Sequence, residues 1–223
     1  MISGILPDEV CGAEAFADTV DGVLFPEEQR AVTGVFPERL RAFTTARMCA
    51  RRALAGIGVP TAPIPPGAFG APVWPPGVVG SITHCTGYRA AAVALRARVL
   101  SVGIDAEPDA PLPADARAAV VRPEERVRLS ALSRVPAGPS WDRVLFSAKE
   151  SVYKAWFPLT GYPLDFGEAS LTIDPHCGTF ATRLLVTGPV GRQAAARVGA
   201  LSFHGKWLAA DGLVLTAVVC RPG

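Results

Sequence analysis

The chain contains no asparagine and only three lysines, Lys149, Lys154 and Lys206, although 22 of its 223 residues are basic. Arginine therefore does the ordinary work of surface charge. A retained lysine marks a place where a compact, swinging ammonium is not interchangeable with a planar guanidinium. Two of the three lie five residues apart around Glu150. Cysteine is sparse as well. Cys11, Cys49, Cys85, Cys177 and Cys220 are odd in number, scattered and free of any C-x-x-C pair. That excludes a disulfide framework and a structural zinc site, and points to a reducing compartment. Long apolar runs are missing: the longest stretch without a fixed charge, Ala53 to Tyr88, carries seven prolines and cannot be a membrane helix. The first residues include Asp8 and Glu9 and lack a basic-then-apolar leader. With a net charge of +2 there is no call for a nucleic-acid partner, and 49% hydrophobic content describes a folded globule. The expectation is a cytoplasmic protein with neither membrane nor nucleic acid as partner.

What is present reads as α+β. Residues 1–36 form short elements punctuated by Pro7, Pro26 and Pro37. A helix starts at Pro37 and ends near Gly56-Ile57-Gly58; it carries Arg39 and Arg47, about 80° apart around its axis and able to reach one anion. A proline- and glycine-rich connection, anchored by Phe69, Val73 and Trp74, leads to a hairpin of Gly80 to His84 with Tyr88 to Leu95. Val99 to Asp105 is expected as the third strand of the same antiparallel sheet. A helical stretch broken at Pro123 follows.

The next helix organises the rest, running from a Ser140 cap to just before Pro158. Leu145, Ala148, Val152, Ala155 and Trp156 form its core side. Ser147, Glu150, Ser151 and Lys154 lie roughly opposite, with Lys149 beside the apolar arc. Strands at Ala169–Ile173, Thr179–Val186, Leu201–Ala209 and Leu213–Cys220 complete the chain, with a short helix at Arg192–Val198 and a tight turn at Ala210-Asp211-Gly212. Helices followed by an antiparallel hairpin occur twice. The expected architecture is two similar halves, residues 1–106 and 107–223, each a sheet with helices packed on it and related by a pseudo-two-fold.

Alternation along Val102 to Pro108 turns Asp105 and Glu107 to one face, and Pro108 stops the strand. Adjacent carboxylates repel each other and are best tolerated around a hard cation such as Mg²⁺. Acids that hold Mg²⁺, set beside Glu150, Lys149, Lys154, His84 and a row of arginines, are an inventory for handling phosphate or pyrophosphate. There is no Walker loop or Rossmann glycine pattern, so side chains must grip the phosphates. Residue chemistry alone ends at Mg²⁺-dependent phosphoryl chemistry.

Gly103-Ile104-Asp105-Ala106-Glu107, then Phe146-Ser147-Ala148-Lys149-Glu150 and Tyr153-Lys154-Ala155, resembles the phosphopantetheinyl transferase signature. Gly80 to Cys85, Phe43 to Arg47, Pro72 to Pro75 and Trp156 to Thr160 extend the resemblance toward the enterobactin-type and surfactin-type branch, whose members are monomers of two similar halves. The resemblance implies transfer of phosphopantetheine from coenzyme A, bound between the halves, to a serine of an apo acyl or peptidyl carrier protein, with release of adenosine 3′,5′-bisphosphate. It implies Asp105, Glu107 and Glu150 on Mg²⁺, with Mn²⁺ as the alternative ion, and water or backbone completing the shell. Glu150 is also the implied base and Lys154 the group that stabilises the departing phosphate. Lys149, Arg39, Arg47, Thr83 and His84 are the implied contacts to coenzyme A. Where close relatives tend to carry loop lysines, this chain has Pro66 and Phe69. A pyrophosphate hydrolase and a non-catalytic coenzyme A or carrier-binding module are the alternative readings.

Overall fold

The computed structural model describes residues 1–19, 22–199 and 202–222. After a 3₁₀ turn at Ile2–Ile5 come β1 (Cys11–Ala15), α1 (Pro26–Gln29), α2 (Pro37–Gly56), β2 (Val78–Cys85), β3 (Tyr88–Leu95) and β4 (Ser101–Pro108). They are followed by α3 (Ala114–Val120), α4 (Pro123–Leu132), α5 (Trp141–Thr160), β5 (Ala169–Asp174), β6 (Thr179–Leu184), α6 (Gly188–Val198), β7 (Ser202–Ala210) and β8 (Leu213–Cys220). Pro37 opens α2 because its fixed φ suits the first helical position and its missing N–H costs nothing there. The β7–β8 turn places Asp211 and Gly212 at φ 52° and 74°, the conformation that matches the twist of two paired strands. Leu201, expected to open β7, lies outside the described residues.

The strands form two antiparallel sheets, in the orders β1-β3-β2 and β4-β8-β7-β6-β5. The fold is thus α+β. One expectation is corrected: β4 is not the third strand of the β2–β3 sheet but pairs with β8, with Asp105 opposite Thr216. β2 and β4 meet edge to edge through side chains. Ile104 N–H donates to Ser81 Oγ and Ala106 N–H to Thr83 Oγ1, each at 3.1 Å. Hydroxyls on β2 thereby satisfy backbone donors that a bare sheet edge would leave open. The change of sheet falls between β3 and β4, ahead of residue 106, so Asp105 and Glu107 both ride on the second sheet.

α2 packs Cys49, Ala50 and Leu54 on Val78 and Val93 of the first sheet. α5 packs Leu145, Val152 and Trp156 on Leu171, Val214 and Val218 of the second. The opposite faces share a core in which Ile2 and Ile5 meet Ala92, Ile104 and Leu215. α5 runs past Pro158 to a left-handed Gly161 (φ 67°). Pro158 is tolerated in the last turn, where it removes one helical hydrogen bond. Ser147 and Ser151, expected on a polar side of α5, are completely buried. Ser147 Oγ lies 2.9 Å from Thr216 Oγ1, and Ser151 Oγ–H donates to Ala148 O at 2.9 Å. The helix presses on β4 and β8 with this side, so its small polar residues pack internally instead of meeting water.

Candidate active site

The site is built where α5 crosses β4, and Gly103 permits the crossing. A Cβ at Gly103 would lie 1.9 Å from Ser151 O and 2.6 Å from Ala155 N, both backbone atoms. Only a residue without a side chain lets the two backbones approach this closely. Two residues along the same face of β4 stands Asp105; one helical turn past Ser151 stands Lys154. The Lys154 ammonium donates to Asp105 Oδ1 at 2.8 Å, and Thr83 Oγ–H donates to the same oxygen at 3.1 Å. Lys154 also reaches Thr83 Oγ1 at 3.5 Å. Asp105 Oδ2 is buried and has no hydrogen-bond partner among the described residues. A buried carboxylate oxygen without a donor is costly to keep, which makes it a natural seat for a cation.

Glu107 faces the same way but is held by Arg143 Nη1 at 2.9 Å, while Arg143 itself is fixed by Ala110 O and Pro111 O. Burial and then the Asp105 charge push the Glu107 carboxyl above the ordinary value, against the pull of Arg143. The Glu150 carboxylate makes no hydrogen bond or ion pair among the described residues. Burial raises its carboxyl and Asp105 adds to the rise, while Lys154 opposes it. A carboxylate left free, and made more basic by its surroundings, is equipped to take a proton. His84 is exposed at the end of β2. Desolvation, then the Lys154, Arg89 and Arg39 charges, keep its imidazole below the ordinary value, against Asp105.

Glu150 and Lys154 line one side of a cleft of about 630 Å³. Tyr153 and Phe157 of α5 continue that wall, and the loop carrying Phe69 and Trp74 forms the other. An apolar hollow with a few converging polar groups is the usual form of a small-molecule site, and this volume falls within the usual range.

Three expected contacts are placed elsewhere, the first being Thr83, which is buried with its hydroxyl bonded to Asp105 and Ala106. Lys149 does not face the cleft: its ammonium donates to Val120 O at 2.8 Å, Glu125 Oε2 at 2.8 Å and Phe166 O at 2.9 Å. Both side chains of the ion pair are 1% exposed. All three N–H groups are used, so none remains for a phosphate. Its position beside the apolar arc reflects an interior ion pair. Arg47 is likewise turned inward, its Nε donating to Ile64 O at 2.7 Å and its guanidinium lying 4.0 Å above the Phe43 ring. Burial, with Arg51 adding and Glu28 opposing, lowers its pKa to about 10. Of the two arginines, Arg39 is the exposed one. Nor do the acids form a ready cage: among the described residues no three of His, Cys, Asp or Glu are grouped to hold a metal ion. The sequence assigned no role to Arg143, nor to Tyr153 beyond its place in the Tyr153-Lys154-Ala155 motif. Arg143 had a signal, since residues 143, 147, 150 and 154 recur at helical spacing on one face.

Two family models cover most of the chain: the 4′-phosphopantetheinyl transferase N-terminal domain over residues 27–94, and the 4′-phosphopantetheinyl transferase superfamily over residues 101–209. The chain belongs to the 4′-phosphopantetheinyl transferase superfamily. It is 51% identical to 4′-phosphopantetheinyl transferase Svp of Streptomyces mobaraensis, across 98% of this chain and 88% of that one. It is 45% identical to the transferase Npt of Nocardia iowensis, across 98% and 99%. It is 40% identical to the transferase PptT of Mycobacterium tuberculosis, across 98% and 97%. In this transferase the boundary between the two family models, residues 95–100, coincides with the change of sheet between β3 and β4. Among the transferase's described residues no helix is long and apolar enough to cross a membrane.

Proposed function

We propose that this chain transfers the 4′-phosphopantetheine group of coenzyme A to a serine hydroxyl of an apo carrier protein, as a Mg²⁺-dependent holo-carrier synthase that releases adenosine 3′,5′-bisphosphate. The observation that carries the reading is Glu150, whose carboxylate has no hydrogen bond or ion pair among the described residues, is raised in pKa and lines the cleft beside Lys154. Glu150 accepts the proton of the incoming serine. Lys154, anchored by Asp105 and Thr83, keeps a further N–H to give to the phosphate oxygen from which the pantetheine phosphate departs. His84 and Arg39, within electrostatic reach of each other, grip the nucleotide phosphates at the rim. Arg47 and Lys149 support the site through the backbone they hold.

The residues present fit a divalent cation in one particular way. Mg²⁺ usually takes one or two carboxylates and completes its shell with water and substrate phosphate, so no three-carboxylate cage is required. Asp105, through its unpartnered Oδ2, and Glu107 would hold it, with Glu150 alongside. The ion when bound supplies charge neutralisation at the pyrophosphate. The protein is read as a monomer working in the cytoplasm.

The test is to incubate the protein with coenzyme A, Mg²⁺ and an apo carrier, and to weigh the carrier by mass spectrometry. A gain of one phosphopantetheine, absent with Asp105→Ala and with Glu150→Gln, is the expected result. An unchanged mass across acyl, peptidyl and polyketide carriers would refute the function.

A further inference from the structure

Each of the two carboxylates on β4 is held by one oxygen only, and each by a cation of α5. Asp105 Oδ1 accepts Lys154 at 2.8 Å and Thr83 at 3.1 Å, while Oδ2 has no partner among the described residues. Glu107 Oε2 accepts Arg143 Nη1–H at 2.9 Å, and its Oε1 makes no hydrogen bond among the described residues. Arg143 and Lys154 stand about three helical turns apart on one face of α5. The two cations offset the repulsion between neighbouring acids, and they leave one oxygen of each acid unused.

Arg143 is firmly fixed. Its Nε donates to Ala110 O at 2.8 Å and its Nη2 to Pro111 O at 3.2 Å, so all three nitrogens are engaged. The side chain is 15% exposed. Those carbonyls belong to the chain just past β4, where Asp109 Oδ1 also accepts the Ser140 N–H at 2.7 Å. A planar fork bonded at every nitrogen has one orientation, and it imposes that orientation on the carboxylate it holds. A carboxylate that binds a metal is itself oriented by such a partner on its other oxygen.

We propose that Arg143 is a positioning residue for the divalent ion: it holds Glu107 by Oε2 so that Oε1 is available to the metal beside Asp105 Oδ2. The inference rests on the metal assignment of the proposed function. Removing a partner from behind a metal-ligating carboxylate costs about ten- to hundredfold in metal affinity.

Mn²⁺ is the probe, since the paramagnetic signal of the free ion falls as it binds. Wild type, Arg143→Ala, Arg143→Lys, Glu107→Gln, the double variant Arg143→Ala/Glu107→Gln, and Asp109→Ala are each titrated with Mn²⁺ at saturating coenzyme A. Arg143→Ala should bind the ion about ten- to hundredfold more weakly, with Arg143→Lys in between. The lysine variant keeps the charge and loses the fork, and it carries the test should the alanine variant not fold. Once Glu107→Gln is in place, removing Arg143 should change nothing further, because its effect runs through that carboxylate. Asp109→Ala loosens the same stretch of chain without touching Glu107 and should bind Mn²⁺ as wild type does. Wild-type affinity in both Arg143 variants, or an equal loss with and without the Glu107 carboxylate, would overturn the inference and leave the metal assignment standing. Equal weakening by Asp109→Ala would also overturn it, making Arg143 a brace of the chain alone. If Glu107→Gln binds as tightly as wild type, Glu107 is no ligand and the inference falls. If wild type takes up no Mn²⁺, the metal assignment itself fails, and the inference with it.

Discussion

Removing the Lys149 side chain should damage stability far more than substrate binding. The ammonium and its Glu125 partner are each 1% exposed, and the ammonium ties together Val120 at the end of α3, Glu125 in α4 and Phe166 ahead of β5. Burial pushes the Lys149 pKa down, and the Glu125 hydrogen bond opposes that fall. In Lys149→Ala, Glu125 keeps the N–H donors of Arg122 and Leu171 but loses its counter-charge. Stranding one member of a buried pair costs about 3–5 kcal/mol. For a protein of this size that corresponds to a melting temperature lower by about 6–20 °C, at about 2–4 °C per kcal/mol. Lys149→Met with Glu125→Gln removes both charges together and should recover part of the loss. The assays are thermal unfolding and a coenzyme A titration well below the variant's melting point. A variant that melts within about 2 °C of wild type, yet binds coenzyme A much more weakly, would show that the ammonium serves the ligand and would refute the interior role.

Glu150→Gln should abolish carrier loading yet leave the melting temperature equal or raised at neutral pH. A carboxyl whose folded pKa is raised holds its proton at a pH where the unfolded chain has released it. Its burial therefore subtracts from stability above the folded value and subtracts nothing below the ordinary 4.5. The stability gain from Gln should fade as pH falls through that window, and the acid limb of wild-type kcat/KM should lie above 4.5; a limb at or below it would contradict the assignment of Glu150 as base. Gly103→Ala should lower the melting temperature sharply, because its Cβ would meet the backbone of α5 at 1.9 Å, whereas Gly4→Ala meets nothing within 4 Å and serves as the control. At a temperature where the Gly103 variant remains folded, turnover should fall as well, since α5 carries Lys154; wild-type melting and turnover would refute the close crossing.

Asp105, Glu150 and Lys154 are readable from the chain because alternation along a strand and periodicity along a helix say which way side chains point. These rules do not say what covers each face. Ser147 and Ser151 look solvent-facing by pattern and are buried because β4 and β8 lie against them. Lys149 sits beside the apolar arc in either reading, and only the distant Glu125 decides that it points inward. The edge-to-edge meeting of β2 and β4 was equally hidden. Ser81 and Thr83 read as ordinary strand hydroxyls until two backbone donors of β4 are found on them. Long-range partners of polar groups, then, are what local pattern misses.

A long-range pairing of buried charges also occurs twice along the chain. Pro26-Glu27-Glu28 and Pro123-Glu124-Glu125 each open a short helix, and the last glutamate of each is fully buried. Glu28 Oε2 accepts the Phe25 N–H at 2.9 Å, its Oε1 accepts the Ile64 N–H at 2.8 Å, and Arg51 of α2 supplies the counter-charge. Glu125 Oε2 accepts the Arg122 N–H at 2.9 Å, its Oε1 accepts the Leu171 N–H at 2.8 Å, and Lys149 of α5 supplies the counter-charge. In both places one carboxylate caps its own helix, neutralises a cation on the next long helix, and holds the chain beyond that helix. Two buried charges with the same three duties are hard to attribute to chance, since an unpaired one would be expelled or neutralised. In this comparison Lys149 corresponds to Arg51, which is not among the residues lining the cleft. The retained lysine next to Glu150, the proposed base, is then an interior brace of α5, the helix from which Glu150 and Lys154 emerge into the cleft.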